Sequence, residues 1–129
     1  MSDLSKNFSR YEFECQDECG FDTVDTGLLR VLQDVADYYS VLYGKVKVII
    51  TSGCRCPEHN EDEGGSENSQ HLYGKAADFK VYKLTNDEWE QIPAEVIYNY
   101  IDSKYPDTLG LGMYSNRNHV DSRERKARW

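Results

Sequence analysis

The segment Ser69-Gln70-His71-Leu72-Tyr73-Gly74-Lys75-Ala76-Ala77-Asp78 sets an imidazole and a carboxylate seven residues apart across a glycine turn, and His119-Val120-Asp121 supplies a second imidazole later in the chain. Two histidines and one aspartate, with a fourth position left for water, are the ligand set of a hydrolytic zinc centre rather than a structural one. His71, Asp78 and His119 are therefore the candidate Zn2+ ligands. The chain has three histidines, so this assignment uses two of them. Asp78 stands in the apolar run Ala76-Ala77-Asp78-Phe79, where a carboxylate is costly to bury unless paired or bound to metal. The remaining histidine, His59, reads as a loop residue near the cleft.

His119 and Asp121 are two apart on an expected strand, so both point to one face, which Arg123 continues. Zinc in such a site polarises a scissile carbonyl and lowers the pKa of its water towards ~7. A carboxylate must then carry the proton from that water to the leaving amine. Asp121 is the first candidate for that base. The alternatives are Glu58, Glu61 or Glu63 in an acidic loop, with Asp121 instead orienting His119 as its hydrogen-bond partner.

The elements that must hold these residues follow from pattern. Leu28, Leu29, Leu32, Val35, Ala36, Tyr39 and Leu42 recur at helical spacing and predict a first helix over Thr26 to Leu42, capped by Asp25 or Thr26 and ended near Gly44. Val46 to Thr51 and Lys75 to Tyr82 read as strands, and Cys54 to Ser69 as the long acidic loop between them. Thr85-Asn86-Asp87-Glu88 has the form of a capping box for a short helical turn. Pro93 opens a second helix running to about Lys104, with Val96, Ile97, Tyr100 and Ile101 apolar. Leu109 to Tyr114 and Asn118 to Ser122 form a closing hairpin. Two main helices with a small, mostly antiparallel sheet give an α+β fold.

At 129 residues the chain is expected to be one domain, 1–129. Its net charge of −8 argues against nucleic acid, which needs a basic footprint. The tail from Arg123 to Trp129 is locally basic and reads as a solvated end. No apolar run is long enough to span a membrane, and the polar N-terminus has no signal-peptide core. Synthesis in a cytoplasm is therefore expected, as a monomer. Four cysteines, Cys15, Cys19, Cys54 and Cys56, leave three states open: free thiols, a bridge between the two pairs, or a second, four-thiol zinc site.

The chain resembles the zinc D-Ala-D-Ala carboxypeptidases and their phage endolysin relatives, which share a core with the hedgehog domain. Ser69, His71, Gly74, Ala76 and Asp78 match the family signature Ser-x-His-x-x-Gly-x-Ala-x-Asp in full. Ser52-Gly53-Cys54-Arg55 through Asn60 is similar to its upstream segment, and Gly110 to Tyr114, His119 to Arg123 and Ala127-Arg128-Trp129 to its last strands and terminus. The resemblance implies a hedgehog/D-Ala-D-Ala-peptidase-like fold and a zinc peptidase acting on bacterial peptidoglycan peptides. It also implies a phage or prophage origin, with another route to the cell wall. Arg55 corresponds to the arginine that steadies the substrate carbonyl. Ser69 and Gln70 support the loop or bond the substrate. Tyr73, with Tyr82, Tyr114 and Trp129, lines a peptide groove or belongs to the core. Many relatives carry an acid three residues before the last ligand, where this chain has Asn116. That departure keeps a second reading open, a zinc-containing binding module without turnover.

Overall fold

The computed structural model describes residues 6–13, 25–53 and 75–129. Helix α1 (Thr26–Tyr43) starts where the Asp25 carboxylate accepts from the backbone N–H groups of Gly27 and Leu28, and it ends at Gly44, whose φ of 83° few side chains tolerate. Helix α2 (Ala94–Lys104) follows Pro93. Six strands complete the described fold: β1 (Val46–Ser52), β2 (Ala76–Thr85), β3 (Glu88–Gln91), β4 (Gly110–Met113), β5 (Asn118–Asp121) and β6 (Ala127–Arg128). They form one sheet in the order β1-β2-β5-β4-β6, with β3 also on β2. Every pairing is antiparallel except β4 with β6. The expected α+β class holds.

Opposed residues across a sheet share a face. Ala77, Val120 and Leu111 form one such row, and they are buried with Val48, Phe79 and Val81 under the two helices. Leu28, Val31, Leu32, Val35, Ala36 and Tyr39 of α1 pack there, with Ala94, Ile97 and Ile101 of α2 buried beside them. Phe8, and Phe13 at the end of a short 3-10 turn (Arg10–Phe13), complete the core. Each such side chain stabilises by ~1.5–3 kcal/mol on burial. The next row, Asp78, His119 and Gly112, lies on the opposite face. The sheet therefore separates an apolar face from a face that carries the candidate ligands Asp78 and His119.

Three local expectations fail. Thr85 to Glu88 does not start a helix. Asn86 and Asp87 take φ of 51° and 66°, and the segment is a two-residue turn joining β2 to β3. Short polar side chains tolerate left-handed backbone, and such turns match the twist of paired strands. Val96 and Leu42 are exposed, because the buried faces are set by Ala94, Ile97 and Ile101 and by Leu28 to Tyr39. The basic tail is not simply solvated. The Arg128 guanidinium donates to Asp102 Oδ1 at 2.8 Å and to the backbone carbonyls of Leu109, Tyr105 and Thr108 at 2.7–3.0 Å. Arg123 is likewise bonded to Asp121.

Candidate metal centre

The antiparallel register of β2 and β5 puts Asp78 directly opposite His119. Both are buried, each 7% exposed. His119 Nδ1 lies 2.9 Å from Asp78 Oδ1. The other ring nitrogen, Nε2, lies 2.8 Å from Oδ2 of Asp121, which is fully buried one row along the same face. With Asp121 ionised, Nε2 carries the proton and donates it.

Asp121 is engaged on all sides. Arg123 donates from Nε to Oδ1 at 2.7 Å and from Nη2 to Oδ2 at 2.8 Å, a bidentate fork. The Gly110 N–H donates to Oδ1 at 3.1 Å, and the Arg123 N–H to the same atom at 3.3 Å. Burial alone would raise the Asp121 pKa, but bonds to His119 and Arg123 outweigh it and hold the carboxyl well below the usual range. Burial alone would lower the His119 pKa, and its bonds to Asp121 and Asp78 turn the shift upward.

Two glycines make this arrangement possible. A Cβ on Gly110 would lie 2.2 Å from Asp121 Oδ2, and one on Gly112 would lie 2.5 Å from the Trp129 indole nitrogen. Glycine within a strand marks close approach of another group. Here β4 is bare on this face so that a carboxylate can lie across Gly110 and an indole across Gly112. The Trp129 ring centroid is 4.9 Å from that of His119, and the residue is 46% exposed. In the sequence, the Gly-x-Gly spacing of Gly110 and Gly112 within a strand is the one signal of this close approach.

The donor set suits zinc. Donor atoms bound to one ion at ~2.0–2.2 Å sit roughly 3–3.5 Å apart. Nδ1 of His119 and Oδ1 of Asp78 are 2.9 Å apart, so an ion replacing the proton between them requires a few tenths of an ångström of adjustment. Nε2 is already committed to a carboxylate, the arrangement that fixes the tautomer of metal-binding histidines. Among the described residues no three His, Cys, Asp or Glu side chains are grouped to hold a metal ion. His71 lies outside the described residues, as do Arg55, Ser69, Gln70, Tyr73, His59, Glu58, Glu61, Glu63 and the four cysteines. Asn116 is exposed in the β4–β5 turn, and its backbone carbonyl accepts from the Gln91 side chain at 2.6 Å. No described helix is long and apolar enough to cross a membrane.

A family model described as peptidase M15 matches residues 6–121, a span that covers the acidic loop, β2 and both described candidate ligands. No curated protein and no solved structure matches the chain.

Proposed function

Because this chain belongs to the peptidase M15 family, we propose that it is a zinc-dependent peptidase that hydrolyses peptide bonds in bacterial peptidoglycan stem peptides or cross-links. M15 peptidases are zinc metallopeptidases. The observation that carries the reading is the buried Asp78–His119 pair, with Asp121 behind the imidazole.

In this reading Asp78 Oδ1, His119 Nδ1 and His71 hold the ion. When bound, zinc supplies Lewis-acid polarisation of the scissile carbonyl and a water acidic enough to attack at neutral pH. Asp78 is placed by the β2 ladder and His119 by the β5 ladder, so both ligands sit on rigid, paired backbone. Asp121 accepts a hydrogen bond from the Nε2–H of His119, which leaves Nδ1, beside Asp78 Oδ1, as the nitrogen whose lone pair would face the ion. Its burial, its lowered pKa and its four other donors support this orienting role over that of a base. The proton transfer then falls to Glu58, Glu61 or Glu63. Arg55, always charged and fork-shaped, steadies the developing oxyanion, and Ser69, Gln70 and Tyr73 contact the peptide.

Asn116 favours a second reading, a zinc-containing module that binds peptidoglycan without cutting it. Its amide takes no proton from water, and its backbone carbonyl accepts from the Gln91 side chain. Mass spectrometry of fragments from defined muropeptides decides between them. The peptidase reading expects new termini that vanish with chelator and return with zinc. Stoichiometric zinc without any cleavage overturns it in favour of the module.

A further inference from the structure

We propose that Trp129 and Arg123 are positioning residues that clamp His119 in the orientation its metal role needs. The inference rests on the reading of His119 as a ligand and extends it to the side chains packed against that imidazole and against the carboxylate behind it.

Arg123 grips both oxygens of Asp121, at 2.7 and 2.8 Å, and Asp121 in turn accepts from His119. A carboxylate gripped in this way cannot rotate without losing several charge-assisted hydrogen bonds at once. The imidazole direction is thereby set from two residues further along the chain.

Trp129 closes the arrangement from the side. Its indole lies over Gly112, against the His119 ring at 4.9 Å, and the Arg123 guanidinium lies 5.6 Å from the indole centroid. One indole thus borders both the ligand and the arginine that orients it. The ring has a fixed seat. The Trp129 N–H donates to the Leu111 carbonyl at 3.0 Å, and its own carbonyl accepts from the Met113 N–H at 2.9 Å. Its Nε1 donates to Tyr114 Oη at 3.3 Å, and Arg128 beside it is bonded into the end of α2. Trp129 is nearly half exposed as a residue, so core burial alone does not account for a bulky aromatic there. A Cβ at position 112 would remove its seat.

The test is zinc affinity of the full chain by chelator competition, with thermal unfolding of the metal-free protein as a folding control. Trp129→Ala and Arg123→Gln are expected to unfold cooperatively when metal-free yet bind zinc about 10–100-fold more weakly, the usual effect of losing outer support for a ligand. Trp129→Phe and Arg123→Lys are expected to recover part of that loss, and they replace the first pair if either fails to fold. The His119 Nε2–H resonance should exchange faster with water in the weakened variants, a readout that a general loss of stability does not move selectively. Wild-type affinity in Trp129→Ala and Arg123→Gln overturns the clamp and leaves the metal centre standing. A wild-type chain that binds no zinc overturns both.

Discussion

Asp121 and His119 are two residues apart on β5, and the carboxylate of one receives the ring nitrogen of the other at 2.8 Å. The alternation of a strand puts both on one face, and the bare backbone of Gly110 lets the carboxylate lie flat there. The chain thereby converts a two-residue spacing into a fixed imidazole orientation.

That relationship separates the two roles open to Asp121. Asp121→Asn is expected to weaken zinc binding by about 10–100-fold, as loss of an orienting carboxylate does. A general base would instead lose about 10²–10⁴-fold in turnover with zinc affinity intact. Zinc titration and muropeptide cleavage on the one variant distinguish them.

Gly110→Ala should reproduce much of this defect without touching a polar group. Its Cβ would meet all three terminal atoms of the Asp121 carboxyl group within 2.5 Å, so the carboxylate must move. Overpacking of this kind costs about 1–3 kcal/mol. A fall in thermal stability together with weakened zinc binding is expected. Normal zinc affinity would show that Asp121 need not stay where the fold places it.

The sequence disclosed a large part of this design. Helix α1 was legible because its apolar spacing, its Asp25 cap and the glycine at its end agree. Strand β1 was legible because the β-branched residues Val46, Val48, Ile49, Ile50 and Thr51 run between Gly44 and Gly53. The shared face of His119 and Asp121 followed from strand alternation alone. The β2–β3 hairpin was not legible, because Thr-x-x-Glu suits a helix start as well as a turn, and only pairing with β2 decides it. The seat of Trp129 depends on β6 returning beside β4, a non-local pairing that no short window of sequence contains.

The core carries its own pH signature. Tyr39 is 2% exposed, and burial beside Tyr38, Tyr43 and Tyr100 pushes its pKa from 10.0 to about 12. The fold favours the neutral phenol, so its contribution is complete below pH 10.0 and is lost as pH rises through about 12. Chemical denaturation of the metal-free protein across that window should show stability falling. Tyr39→Phe should flatten the fall. Tyr105, raised by burial and its bond to Asp34, adds to the same window in both proteins.

The central claim is that Asp78 and His119 are ligands of one catalytic zinc, and metal content tests it most directly. Purified wild-type chain, loaded and then desalted, should carry one zinc per molecule. Asp78→Asn and His119→Ala should each lose stoichiometric metal while the metal-free proteins still unfold cooperatively. Full zinc retained in either folded variant would contradict the account.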